Sequence, residues 1–186
     1  MPTRVAVVGA GPGGYAAAFY AADLGMQVTL IDPEKNPGGV CLYRGCIPSK
    51  ALLHVAKVLD EARHAGEWGI QFGAPTIDLD RLRGFKNKVV DKLTSGTGQV
   101  AKLRKVTYLQ GMASIATPRQ LKVALTGGGE QTVDVDAMII ATGSEPTKIP
   151  ALSIDSPRVI DGADAIRFLR WVVDAVEQPF TVMLRG

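Results

Sequence analysis

The segment Gly9-Ala-Gly-Pro-Gly-Gly14 constrains this chain more than any other. It carries glycine at the spacing G-x-G-x-x-G and lies between the apolar run Val5-Ala-Val-Val8 and a small-residue stretch over residues 15–24. Four apolar residues without polar alternation read as a strand buried on both faces. The stretch after the turn predicts a helix that stops at Gly25, and residues 27–31 predict a second buried strand ending at Asp32. Strand, turn, helix and strand make a βαβ unit, which commits the chain to an α/β fold with a parallel sheet.

In that context the spacing is the dinucleotide fingerprint. Gly9 permits the tight turn, Gly11 lets the backbone approach a pyrophosphate, and Gly14 lets helix and strand pack closely. Pro12 and Gly13 complete the loop, and the pyrophosphate is expected on the free N–H groups at the helix start. Asp32 follows Gly14 by 18 residues and is expected to accept hydrogen bonds from ribose hydroxyls. The fingerprint alone does not separate FAD from NAD.

Further along, residues 33–45 read as loop, with turn signals at Pro33, Asn36, Pro37, Gly38 and Gly39. Apolar residues at helical spacing predict a helix over 48–65. A long basic helix is expected over 77–105, with an interruption at Ser95-Gly-Thr-Gly98. Residues 106–109 read as a strand, 121–125 and 131–135 as a hairpin around Gly127-Gly-Gly129, and 137–141 as another buried strand closed by Thr142-Gly143. The fold expected is a Rossmann-like domain: a parallel sheet with helices and a β-hairpin or meander insertion.

The net charge is +3, too small to imply nucleic acid. Residues 81–108 hold eight basic groups and one acid, but these alternate with leucine and valine and read as the solvated face of a helix. Residues 5–22 carry no charge, yet their central glycines and Pro12 would break a membrane-spanning helix. We therefore expect no membrane association, no targeting segment and a cytoplasmic location. In that compartment a close cysteine pair points to metal binding or redox chemistry.

The pair is Cys41 and Cys46, within Gly38-Gly-Val-Cys-Leu-Tyr-Arg-Gly-Cys-Ile-Pro-Ser-Lys50. Pro48 marks the first turn of a helix, so Cys46 falls at a helix N-terminus, where the dipole and free N–H groups favour a thiolate. Lys50 adds positive charge one turn on. On a regular helix a five-residue step would leave the sulfurs about 140° apart. A bridge therefore needs an irregular turn, for which Gly45 supplies the freedom. Two cysteines with only His54 and His64 beyond them make a poor zinc site, and no metal is expected. Two inert buried cysteines are the remaining alternative. The histidines read as helix-surface or satisfied core residues.

The string Gly-Gly-Val-Cys-x-x-x-x-Gly-Cys-Ile-Pro-Ser-Lys, directly after a βαβ fingerprint, resembles the flavoprotein pyridine nucleotide-disulfide oxidoreductases, and among them the dihydrolipoyl dehydrogenases. Ala51-Leu-Leu-His-Val-Ala-Lys57 and Ile140-Ala-Thr-Gly-Ser144 extend the resemblance, which covers about residues 4–166. It implies FAD as cofactor, with Gly9, Gly11 and Gly14 at the pyrophosphate, Asp32 and the adjoining Pro33 at the adenosine ribose, and Ala113 offering a backbone contact to adenine. Gly38, Gly39 and Val40 would line the flavin side of the loop, and Ala141, Thr142 and Gly143 would lie near the cofactor. Cys41 resembles the interchange thiol, Cys46 the charge-transfer thiol, and Lys50 the lysine near the reactive edge of the flavin. Tyr43 stands where asparagine is usual, its side chain expected to face away from the sulfurs. The implied reaction passes electrons from a dithiol through the pair and FAD to NAD, the dithiol being the dihydrolipoyl group of a 2-oxo-acid dehydrogenase complex. Glutathione or mercuric reductases, or an inert FAD-binding module, are the alternatives.

The resemblance also implies parts that these residues do not supply. After Gly143 the only glycines are Gly162 and Gly186, so a second fingerprint for NAD is not expected. Both histidines precede residue 65, so neither matches the family's C-terminal histidine–glutamate base, and the interface domain of the family's homodimer is not expected. We expect residues 1–150 to form the FAD-binding domain and 151–186 a truncated or divergent tail, including an amphipathic helix over 167–176. Full activity of the chain alone is not expected.

Overall fold

The computed structural model describes residues 1–145 and 147. The expected tail and its helix lie outside them. The described residues divide into two units, Met1–Tyr43 with Asp91–Thr147, and Arg44–Val90.

The first unit is built on a six-stranded sheet. In chain order its strands are β1 (Arg4–Val8), β2 (Gln27–Asp32), β3 (Thr107–Thr117), β4 (Gln120–Leu125), β5 (Glu130–Asp134) and β6 (Ala137–Ile140). Their spatial order is β5-β4-β3-β2-β1-β6. The four neighbours β3, β2, β1 and β6 run parallel, whereas β3, β4 and β5 form an antiparallel meander. This is a Rossmann-like α/β fold with a meander insertion, as the βαβ signal and the triple-glycine hairpin predict.

Helix α1 (Pro12–Asp23) packs Gly14, Ala18 and Ala21 inward, and Ala18 and Ala21 share one cluster with Val5, Val7, Val28 and Leu30. Its small residues let the helix lie close on the strands. Val7 and Leu30 are fully buried, each worth roughly 1.5–3 kcal/mol of hydrophobic stabilisation. The helix ends in a Schellman arrangement: Met26 N–H donates to the Ala21 carbonyl and Gly25 N–H to that of Ala22, with Gly25 at φ +82°.

Three readings of the strands and of the loop after β2 need correction. The strand predicted over 106–109 runs on to Thr117. It pairs with β2 as far as Gln110 and with β4 from Gly111, where a Cβ would overlap the Ala124 carbonyl oxygen. Gly111 thus marks the handover from parallel to antiparallel pairing, and read alone it suggests a strand end. Second, β6 is not buried: Ile139 and Ile140 are exposed, because among the described strands β6 lies at the edge beside β1. Third, residues 33–45 are not all loop, since residues 39–44 form the short helix α2 (Gly39–Arg44). Its buried Leu42 donates its N–H back to the Gly38 carbonyl at 3.3 Å. Tertiary contact, not turn-rich composition, decides this segment.

The second unit holds α3 (Cys46–His64), which starts two residues earlier than expected, and a short 3-10 turn (Ala65–Trp68). His54 and His64 lie on the exposed surface of α3. His64 Nδ1 stands 2.9 Å from the Asp60 carbonyl oxygen, and that contact raises its pKa. Helix α4 (Leu79–Leu103) begins in this unit and continues into the first. The interruption expected at 95–98 does not occur, and the helix runs straight through Gly96 and Gly98. Among the described residues, no helix is long and apolar enough to cross a membrane.

Candidate functional site

In open α/β sheets ligands bind beyond the carboxyl ends of the parallel strands. Here the segments following β1, β2 and β6 meet at that edge. Gly9, just past β1, has φ +95° and donates its N–H to the Ile31 carbonyl of β2 at 2.8 Å. A Cβ on Gly9 would overlap the Ala141 carbonyl oxygen. Ala141, just past β6, in turn donates to the Val8 carbonyl at 2.7 Å. A Cβ on Gly14 would overlap the Gly9 carbonyl oxygen. The first and third glycines are therefore demanded by packing, as the motif logic expects.

Gly11 and Gly13 are different. Among the described residues, a Cβ on Gly11 would have only the Gly39 Cα at 4.0 Å, and one on Gly13 would have nothing within 4 Å. Pro12 and Gly13 are exposed. Gly11 caps α1 without any side-chain hydrogen bond, and no acid stands in the first turn. The early N–H groups of a helix have no partner within it, and among the described residues no side-chain cap takes their place. The result is bare, electropositive backbone at the positive end of a helix dipole. Its shape and polarity fit a pyrophosphate.

The segment after β2 closes the other side. The Ala10 N–H donates to Asp32 Oδ2 at 2.7 Å and the Glu34 N–H to Oδ1 at 2.9 Å. Asp32 is only 9% exposed, so the acid read as a ribose ligand is also a structural acceptor that binds the glycine turn. Each carboxylate oxygen keeps a second lone-pair site for a ligand hydroxyl. The Gly38 N–H donates to the Ala10 carbonyl at 2.8 Å, and a Cβ on Gly39 (φ +58°) would overlap Gly11 Cα. Pro33 accepts from Gln110 Nε2 at 3.0 Å, and Glu34 accepts from the Tyr108 hydroxyl at 2.9 Å. Burial, with nearby Asp32 as a second cause, pushes the Tyr108 pKa upward.

Of the predicted ligand residues, the structure gathers Gly9, Gly11, Gly14, Asp32, Gly38, Gly39 and Ala141 into one contacting set. Thr142 and Gly143 are exposed just beyond it, with Thr142 Cα 3.0 Å from where a Gly9 Cβ would stand. Val40 is exposed at the start of α2. Ala113 does not follow a strand end: it lies within β3, half-buried and paired with Val123.

Cys41 is half-buried in α2, in the first unit. Cys46 belongs to the second unit, exposed as the first residue of α3. Cys41 is half-buried and Cys46 exposed, so the two are not both buried as the alternative reading has them. Gly45, at φ −129° and ψ −105°, breaks the helical path between them, which is the irregular turn that the spacing requires. Within α3, Ser49 donates its hydroxyl to the Cys46 carbonyl at 3.0 Å and its N–H to that of Gly45 at 3.1 Å. Lys50 is exposed one turn beyond Cys46, and Pro48 is buried.

Sequence reasoning missed the packing around Tyr43. Its hydroxyl accepts the Asn36 N–H and donates to the Asn36 carbonyl, each at 3.1 Å. The signal lay in the stretch misread as a helix break: a Cβ on Gly98 would overlap Asn36 Oδ1, and the Thr97 hydroxyl donates to the Pro37 carbonyl. A glycine inside a helix often marks such a close approach.

Comparison with known proteins agrees with this geometry. Residues 3–170 match the family described as pyridine nucleotide-disulphide oxidoreductase. The chain is 48% identical over 167 residues to a dihydrolipoyl dehydrogenase of Haemophilus influenzae, covering 90% of this chain and 35% of that protein. It is 46% identical over 166 residues to the dihydrolipoyl dehydrogenase of Vibrio cholerae, covering 89% and 35%. A leghemoglobin reductase of Glycine max is 39% identical over 163 residues, covering 87% and 31%. The chain thus spans about a third of the length of these relatives. With the fingerprint, the cysteine string and the sheet topology in agreement, the chain belongs to the pyridine nucleotide-disulphide oxidoreductase family of oxidoreductases.

Proposed function

We propose that residues 1–150 form an FAD-binding domain and that Cys41 and Cys46 are the thiol–disulfide pair of a dihydrolipoyl dehydrogenase-type reaction. The observation that carries this reading is the bare cradle at Gly11 and Gly13 beside a buried acid and an uncapped helix end. Gly11, Gly13 and the first N–H groups of α1 would hold the pyrophosphate, with Pro12 opening the helix. Asp32 would take the ribose hydroxyls, beside Pro33, and Ala113 the adenine. Gly38, Gly39, Val40, Ala141, Thr142 and Gly143 would border the flavin, with Lys50 near its reactive edge. When bound, FAD supplies a two-electron acceptor that accepts from thiols and returns hydride to a nicotinamide.

The chain's own step is thiol–disulfide exchange. A substrate thiolate attacks Cys41 Sγ in the Cys41–Cys46 disulfide, forming a mixed disulfide and releasing Cys46 as a thiolate. The second substrate thiol then attacks its own sulfur in the mixed bond, and Cys41 leaves as a thiol. The dithiol is oxidised to a cyclic disulfide, the pair takes two electrons, and two protons are released or retained on the cysteines. The substrate class is the dihydrolipoyl group of 2-oxo-acid dehydrogenase complexes. NAD as the final acceptor and the homodimer are proposed for the full-length enzyme of the family, not for these residues alone, and a cytoplasmic location belongs to the same proposal.

The test mixes the oxidised chain with dihydrolipoamide and counts thiols. The expected result is one equivalent of lipoamide formed per chain, abolished in Cys41→Ser and in Cys46→Ser. No lipoamide from the oxidised wild type would refute the reading.

A further inference from the structure

Helix α2, which carries Cys41, is only six residues long. A helix so short does not hold itself, because the cost of nucleation is not recovered in one and a half turns. Something outside it must fix where Cys41 stands. Two residues on, Tyr43 points away from the helix and meets both backbone groups of Asn36 through one hydroxyl. The same hydroxyl is hydrogen-bonded to the side chain of Thr94 on α4. Thr97, one turn further along α4, holds the Pro37 carbonyl. Gly38 follows in the notch beneath, where a Cβ would stand 3.1 Å from the Tyr43 ring and 3.2 Å from Thr94. Gly38 in turn donates to Ala10 of the glycine turn. Tyr43 therefore joins the cysteine helix, the loop after β2 and α4, all within the first unit. It occupies the position where the family resemblance expects asparagine, whose shorter side chain could not span this distance in the same way.

We propose that Tyr43 is the positioning residue of Cys41. Its hydroxyl pins α2 to the Asn36 backbone and to Thr94, and so presets half of the five-residue span that must close when Cys41 bonds to Cys46. The inference rests on the reading of these cysteines as a redox pair. A pinned half leaves fewer conformers to search, which raises the effective concentration of one thiol at the other. Closing the bond oxidises both thiols and transfers two electrons and two protons to an external disulfide, here glutathione disulfide, which becomes two glutathione thiols.

The test equilibrates the whole 186-residue chain with glutathione redox buffers, quenches with acid and measures the fraction oxidised by mass. Wild type must first show an intramolecular disulfide; its absence would overturn the pair and the inference together. Given that disulfide, Tyr43→Phe is expected to lower the effective concentration about tenfold while circular dichroism remains native. Tyr43→Asn is expected to fall similarly. A role in general stability alone would lower the melting temperature and leave the effective concentration unchanged. A value within about twofold of wild type in a folded Tyr43→Phe chain would overturn the inference while the pair stands. If Tyr43→Phe does not fold, Thr94→Val decides: a fall of about threefold supports the clamp, and a wild-type value refutes it.

Discussion

The Ala10 amide donates to Asp32 Oδ2 at 2.7 Å, so the acid at the end of β2 holds the glycine turn from behind. Its other oxygen caps the Glu34 amide. Both bonds are charge-assisted and one lies in a buried setting, which makes Asp32 costly to remove. Asp32→Ala is expected to destabilise the chain by about 2–3 kcal/mol in urea unfolding. Asp32→Asn keeps one acceptor but turns an NH2 toward a donor, and is expected to lose a smaller part.

The four glycines of the turn divide by neighbour, and their alanine variants should divide likewise. Gly9→Ala and Gly14→Ala place a methyl on carbonyl oxygens that belong to rigid backbone. Each is expected to cost about 2 kcal/mol or more, Gly9→Ala also because φ is positive there. Gly13→Ala meets nothing and sits in helical backbone, so its stability is expected within about 0.5 kcal/mol of wild type. Parallel urea titrations separate the two classes.

Arg4 and Asp136 tie β1 to the turn preceding β6. The Arg4 backbone amide donates to Asp136 Oδ2 at 2.9 Å, and its guanidinium reaches Oδ1 at 3.2 Å. The Arg4 side-chain and backbone bonds hold the Asp136 carboxyl below its usual range. A depressed folded pKa gives stability that is complete above the unfolded value, about 4, and is lost as pH falls through the folded one. The melting temperature is expected to fall below about pH 4, and Asp136→Asn should flatten that fall.

Lys105 ends α4 in a left-handed conformation, φ +58°, the described residue other than glycine with positive φ. Val106 N–H donates to Ala101 and Lys105 N–H to Lys102, the Schellman pattern that Gly25 completes after α1. A lysine pays for its Cβ there. Lys105→Gly is expected to raise stability by about 1 kcal/mol in thermal and urea unfolding.

The parts legible in the sequence are those written in short-range pattern. Val5 to Asp32 reads correctly because apolar runs, glycine spacing and the terminal acid all report on adjacent backbone. The break at Gly45 reads correctly because a glycine between two closely spaced cysteines reports on its own backbone, whereas helix α2 just before it does not read from composition. Tyr43, Thr97 and Gly98 were opaque because their partners, Asn36 and Pro37, lie far off in the chain for two of the three. Gly98 in particular looks like a helix breaker until Asn36 is seen against it. The burial of β6 was misjudged because an apolar run does not say whether its strand is central or at an edge.

The central claim, that the turn at Gly11 and Gly13 seats a dinucleotide, is tested most directly by flavin retention. The purified chain is incubated with FAD, passed over a gel-filtration column and scanned for flavin absorbance, alongside Gly13→Val. Wild type is expected to elute with one flavin per chain, and Gly13→Val to elute folded but bare, because its side chain fills space that nothing else occupies. A folded wild type that elutes without flavin, or a variant that retains it equally, would contradict the claim.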